Sequence, residues 1–243
     1  MELYIIRHGQ SSNNVLQNQV TRTHDPALTP LGVQQADALA EYLSGAPSRD
    51  PLFDHTTGYS ETLNERGIDF THLYCSPMYR ALQTAQPIAR ALGMQPEVWV
   101  AIHEHGGIYL ETETGVIGYP GRNRTDILAD FPNYMLLTDV TDSGWWNPAR
   151  GHESMADAYG RAITVAQELR RRAGDDPDAR IGLVTHGTFI DALLKALFNQ
   201  LPNRSMFYLH YNTAMTRLDF RSDGRVLIRF VNRVDHLLPE WVS

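Results

Sequence analysis

Two histidines in this 243-residue chain stand in matching places, just past a run of β-prone apolar residues and just before a glycine. Arg7-His8-Gly9-Gln10-Ser11 follows Leu3-Tyr4-Ile5-Ile6, and His186-Gly187-Thr188 follows Ile181-Gly182-Leu183-Val184-Thr185. Such runs read as buried strands, and the polar residue and glycine after each mark an abrupt turn. Parallel strands carry function at their C-terminal ends. Arg7 and His8 would therefore share an anion site, with Ser11, Ser12 and Asn13 placed to cap a following helix whose free N–H groups face the same anion. A lone histidine here is explained equally well as the end of a core strand. Two in matching contexts, one beside an arginine, favour a site in which both imidazoles converge if their strands are neighbours.

Other residues could join that chemistry. Arg80 falls in the first turn of the helix expected after Ser76-Pro77, where an anion ligand and a surface ion pair are both open to it. His103-Glu104-His105-Gly106-Gly107 sets a carboxylate between two histidines on a glycine turn. A bare His-x-His lacks the further spaced ligands of a metal site, and no metal is expected. Arg122 and Arg124 bracket Asn123 after Pro120-Gly121, within a stretch from Tyr109 to Trp146 that reads as loop except for a helix around Arg124 to Asp130. Loops of this length are usually lids or binding segments, so the two arginines are candidates to meet a second anionic group on a ligand. A solvated charged loop is the plainer alternative.

The elements that must position these groups follow from pattern. Thr29 as N-cap and Pro30 at the first helical position open a helix to Leu43, and Ser76-Pro77 opens another carrying Leu82, Ala85, Ile88, Ala89 and Leu92 inward. Phe70 to Cys75 and Val98 to Ile102 read as strands, Glu153 to Ala173 as a long helix, and Phe189 to Phe198 as an amphipathic stretch. Met206 to His210, Ala214 to Phe220 and Arg225 to Val231 read as strands, the last two joined at Asp223-Gly224. The region from about 45 to 69 reads as a surface insertion with a short helix near Tyr59 to Glu65, and a second insertion covers about 105–150. No linker divides the chain, so 1–243 is expected to form a single domain.

Composition narrows the function classes. A formal net charge of −7 argues against nucleic acid and anionic membranes as partners. Lys195 is the only lysine, so there is no Gly-Lys-Ser/Thr phosphate loop and Schiff-base chemistry is not expected; phosphate recognition must rest on Arg, His and backbone N–H groups. Cys75 is the only cysteine, which excludes an intramolecular disulfide and a cysteine-rich zinc site. The chain opens directly on a strand and holds no apolar run of about 20 residues, so a cytoplasmic enzyme is expected.

Arg7-His8-Gly9-Gln10-Ser11 with Asn14 resembles the signature of the histidine phosphatase superfamily, in the branch that includes the cofactor-dependent phosphoglycerate mutases. Leu28-Thr29 with Gly32 and Gln35-Ala36, Ser76-Pro77 with Arg80-Ala81 and Thr84-Ala85, Gly151 to Ser154, and Thr185-His186-Gly187 resemble later blocks of that family in the same order. The resemblance implies an α/β fold, a three-layer α/β/α sandwich around a mostly parallel sheet. It implies that His8 is phosphorylated during turnover, that Arg7, Arg80 and His186 bind the phosphoryl group with Asn14 and Gly187 near the substrate, and that Glu104 is the general acid. Neither metal nor organic cofactor is needed. Where the mutases follow the acid with Arg-His-Tyr-Gly and a lysine-bearing segment, this chain has His105-Gly106-Gly107-Ile108-Tyr109 and no lysine before Lys195. A phosphatase acting on a small phosphorylated metabolite is therefore expected ahead of a mutase-type phosphotransferase. A non-catalytic phospholigand-binding protein would have no use for a nucleophile and an acid.

Overall fold

The computed structural model describes residues 1–18, 21–45 and 68–243. In chain order these form β1 (Glu2–Arg7), α1 (Pro30–Ser44), β2 (His72–Cys75), α2 (Tyr79–Leu92), β3 (Glu97–Val98), β4 (Tyr109–Thr112), β5 (Gly115–Gly118), α3 (Arg124–Asp130), β6 (Met135–Leu136), α4 (Met155–Asp175), β7 (Arg180–Thr185), α5 (Gly187–Leu197), β8 (Met215–Phe220) and β9 (Val226–Arg233). The helix expected near Tyr59 to Glu65 and most of the 45–69 insertion lie outside the described residues.

Seven strands make one sheet in the order β6-β3-β2-β7-β1-β8-β9. Its pairings are parallel from β6 to β1, while β8 and β9 add antiparallel at one side. Side chains alternate faces along a strand, and both faces of β1 are buried, which is why its sequence is apolar without a break. Tyr4 and Ile6 pack with Leu39 and Leu43 of α1 and Ala81, Leu82 and Ala85 of α2. Leu3 and Ile5 pack with Ala162, Val165 and Leu169 of α4 and Phe189 and Leu193 of α5. Helices thus cover both faces, and the molecule is the expected three-layer α/β/α sandwich.

Local signals set several boundaries. The Thr29 hydroxyl accepts from Gly32 N–H at 3.0 Å and starts α1; Ser154 does the same for Asp157 N–H at 3.1 Å and starts α4. Four expectations need correction. Ser76 does not cap α2, which begins at Tyr79 behind Met78. The strand expected over Val98 to Ile102 is two residues long and gives way to a 3-10 turn at Val100–Ile102. Tyr109 to Trp146 holds the β4–β5 hairpin and the edge strand β6 as well as α3, so it is far more ordered than a loop. Met206 to His210 is not a strand: Tyr208 N–H donates to Asp191 and Met206 C=O accepts from Lys195 Nζ, so side chains on α5 replace the ladder. Lys195 itself is buried, its ammonium bonded to Asp191 Oδ2 at 2.7 Å and to the carbonyls of Asn203 and Met206.

Candidate active site

β7 lies between β1 and β2, with Arg7 opposite Thr185 and Cys75 opposite Val184. His8, His186 and Ser76 are the next residues on the three chains, so one sheet end delivers all three side by side. His8 N–H donates to Thr185 C=O at 2.9 Å and Ser76 N–H to Val184 C=O at 3.0 Å, extending the pairing to the turns. The His8 and His186 rings are 5.0 Å apart.

The surroundings of His8 fix its tautomer. Nδ1 lies 2.6 Å from Gly9 C=O, a group that only accepts, so Nδ1 carries the proton. Nε2 accepts from Arg80 Nε at 3.1 Å, so it holds the lone pair. Burial, followed by the charges of Arg80 and Arg7, keeps the imidazole pKa well below its ordinary value. The turn is braced by Asn212 Nδ2 on His8 C=O at 2.9 Å, Thr84 Oγ1 on Gly9 N–H at 3.0 Å and Gln35 Oε1 on Gln10 N–H at 2.8 Å. Asn14 braces it too, since its Oδ1 accepts from both N–H and Oγ of Ser11. The helix expected after this turn is a single 3-10 turn, Ser12–Val15, so aligned helix N–H groups come from α5 instead.

His186 is fully buried, its Nε2 at 2.7 Å from Ser76 Oγ, which in turn accepts from Met78 N–H. The other ring nitrogen, Nδ1, is a buried atom with no hydrogen-bond partner, and when the serine gives its proton to Nε2 the imidazole proton sits on Nδ1. Arg7 Nε is likewise buried and unpartnered, while Arg7 Nη1 is held by His210 C=O. Unsatisfied buried polar atoms are costly, and two of them, one a guanidinium N–H, beside a cationic Arg80 fit an oxyanion. A Cβ on Gly187 would lie 3.4 Å from Arg7 Nε, in ordinary contact with it, so Gly187 stands directly against that donor.

Glu104 reaches the same place from the turn after the 3-10 segment. Its Oε1 accepts from His105 N–H at 2.8 Å and Phe189 N–H at 2.9 Å; its Oε2 accepts only the longer bond from Thr188 N–H, 3.2 Å. Two of these donors are free N–H groups at the start of α5. Arg7, His8, Arg80 and Glu104 line one cavity of about 140 Å³, together with Ser11, Asn14, Asn13, Arg22, His24, His105 and Tyr109.

The structure thus brings Arg7, His8, Arg80, Glu104 and Asn14 to one cavity, with His186 and Gly187 directly behind it. It does not bring Arg122 and Arg124 there. Arg122 lies over the Tyr79 ring at 4.4 Å and bonds Asp130, and Arg124 bonds the carbonyls of Leu136, Leu137 and Val140. Arg22, which the sequence did not single out, is an exposed guanidinium that lines the cavity. His103 and His105 diverge: His105 lines the cavity, while His103 is buried against Trp145 and Trp146, its pKa pushed down to about 3 by burial and the charge of Arg161. Among the described residues no group of three His, Cys, Asp or Glu side chains is arranged to hold a metal ion.

Comparison with known proteins gives a consistent picture. Residues 3–52 and 59–233 match the family described as histidine phosphatase superfamily (branch 1). A relative in Mycobacterium tuberculosis named glucosyl-3-phosphoglycerate phosphatase is 30% identical over 208 residues, covering 82% of this chain and 76% of that protein. A PE-PGRS family protein of the same organism is 33% identical over 105 residues, 43% of this chain; the match spans only 14% of that much longer protein. Among solved structures, a phosphoserine phosphatase variant from Entamoeba histolytica in complex with phosphoserine shares the fold, with a TM-score of 0.59, 24% identity, and coverage of 98% of this chain and 99% of that one.

Proposed function

The chain belongs to the histidine phosphatase superfamily, branch 1, and from that membership we propose that it is a phosphomonoesterase that hydrolyses a small phosphorylated acid through a phosphohistidine on His8. The observation that carries the reading is the state of His8: a neutral imidazole whose Nδ1–H is fixed by Gly9 C=O and whose Nε2 lone pair is held at the cavity.

The phosphoryl oxygens take donors of Arg7, whose Nε has no other partner, of Arg80, and of His186 at its unpartnered Nδ1. Nε2 of His8 attacks phosphorus as the ester P–O bond breaks, and Nδ1–H stays on Gly9 C=O as positive charge develops on the ring. The leaving alkoxide takes a proton from Glu104. Each carboxyl oxygen has two lone pairs, and Oε1 has spent both on backbone N–H groups, so the transferable proton sits on Oε2. A water then gives its proton back to Glu104, its oxygen attacks phosphorus, the P–N bond breaks and inorganic phosphate leaves. The chemistry requires no metal or organic cofactor.

The substrate class rests on Arg22. Glucosyl-3-phosphoglycerate and phosphoserine, named for two similar proteins, each carry a carboxylate close to the phosphate, and the guanidinium of Arg22, with His105 in the same lining, would meet a second anion in this cavity. The same reading has one domain and the cytoplasm as compartment, where a single buried cysteine suits reducing conditions. No observation favours a mutase.

The test is a rapid acid- or base-quench of the enzyme with a phosphorus-labelled substrate. A base-stable, acid-labile protein adduct is expected, absent in His8→Ala, which should lose turnover. Near-normal turnover by His8→Ala, or no adduct during turnover, would overturn the mechanism.

A further inference from the structure

Glu104 sits on an irregular turn, where its direction depends on what holds the backbone on either side. One buried ion pair does this. Arg161 of α4 donates through Nε and Nη2 to the two carboxylate oxygens of Glu153, at 2.9 and 2.6 Å. Its Nη1 donates to the carbonyls of Ala101 and His103 at 2.8 and 2.9 Å, just before Glu104. Glu153 N–H donates to Gly106 C=O at 3.0 Å, just after it. The guanidinium also lies 4.5 Å from the ring centroid of Phe189, the residue whose N–H holds Glu104 Oε1. Glu153 is 3% exposed and the Arg161 side chain 13%.

A buried ion pair repays its desolvation poorly as a source of stability, and an apolar pair of equal volume often does as well. What it supplies here is direction: a planar fork that ties four points around one side chain. We infer that Arg161 and Glu153 are positioning residues for Glu104, holding its carboxyl group where it meets the leaving group. The inference rests on the acid role proposed above for Glu104. Neither residue lines the cavity, so neither touches the substrate.

The experiment compares alkyl and aryl phosphates of equal charge, because an aryl leaving group needs little protonation and an alkyl one needs it fully. Glu104→Gln, Arg161→Lys, Arg161→Met and the double variant Arg161→Lys with Glu104→Gln are measured for kcat and KM, with folding checked by circular dichroism. Arg161→Lys keeps the charge and loses the fork, so it tests positioning even if Arg161→Met does not fold. Arg161→Lys is expected to lower kcat on the alkyl ester by about 10- to 100-fold, the scale of a misplacement of about 1 Å, with KM and aryl turnover close to wild type. The double variant is expected to be no slower than Glu104→Gln alone. If Glu104→Gln shows the alkyl-selective loss and folded Arg161→Lys does not, the positioning inference falls while the acid assignment stands. If Glu104→Gln itself treats both esters alike, the acid assignment falls and takes the inference with it.

Discussion

In the proposed mechanism the reactivity resides in one lone pair, on His8 Nε2, which a carbonyl, a guanidinium and burial together keep unprotonated. Arg7, His8 and His186 were legible as candidates in the sequence because each sits where an apolar run breaks, and strand ends are where a parallel sheet gathers its chemistry, whereas Glu104 follows a 3-10 turn and was picked out by the family resemblance. Arg22 was not legible: it lies in a stretch without periodicity, and only the folded chain shows that it faces the cavity. Arg122 and Arg124 misled for the complementary reason, since a Pro-Gly turn says where a chain bends and not which way a side chain points. Arg122 has an acidic partner eight residues on. Arg22→Ala is accordingly expected to raise KM about tenfold, or ~1.4 kcal/mol, for a phosphorylated carboxylic acid and to leave a neutral-tailed phosphate ester nearly unchanged. Arg122→Ala is expected to change KM for neither. Steady-state kinetics on the matched pair decides the matter, and equal effects on both esters would remove Arg22 from the specificity account.

The elements act through contacts between backbones. The turn after β1 packs on the first turn of α1 so closely that a Cβ on Gly32 would lie 2.0 Å from Gln10 C=O, and one on Gly9 would lie 2.5 Å from Gly32 C=O. Backbone cannot rotate aside as a side chain can, so the two glycines fit each other. Gly32→Ala is expected to cost about 1–3 kcal/mol, the range of core overpacking, and to lower kcat by displacing the His8 turn. A urea midpoint and turnover measured together check this; an unchanged midpoint would show that the turn yields freely. Caps and periodicity located α1, α4 and α5 closely, because those signals act within a few residues. The errors arose where distant groups took over. Ser76 looked like a cap but is engaged by His186, and Met206 to His210 looked like a strand but is held by Asp191 and Lys195.

Over the whole molecule, the order of strands was the least legible feature. The sequence marks each strand, yet nothing local says that β7, near the far end, inserts between β1 and β2 and so brings His186 against His8. The same burial leaves a set of histidines neutral in the folded state. The pKa values of His8 and His186 lie well below the ordinary 6.5, with that of His103 at about 3 and that of His236 at about 4, burial being the leading cause in each. Unfolded, each takes up a proton near pH 6.5; folded, each resists. Between those values the unfolded chain binds more protons, so stability present above pH 6.5 is lost as pH falls, by up to about 1.4 kcal/mol per pH unit for each fully buried histidine. Denaturant unfolding between pH 7 and pH 4 should show a steep decline starting near 6.5, and a flat profile over that range would mean that these rings do take up protons in the folded protein.

The solitary lysine turns the molecule into its own strain gauge. A protease that cuts only after lysine has a single bond to find, inside α5 with its ammonium buried, so it can act only when that helix opens, and each cut marks one opening. The other end of α5 supplies the N–H groups that grip Glu104. Appearance of the two fragments on a gel should therefore be slow in the free enzyme and slower still with vanadate or inorganic phosphate bound, a readout of ligand occupancy that needs no turnover and no label.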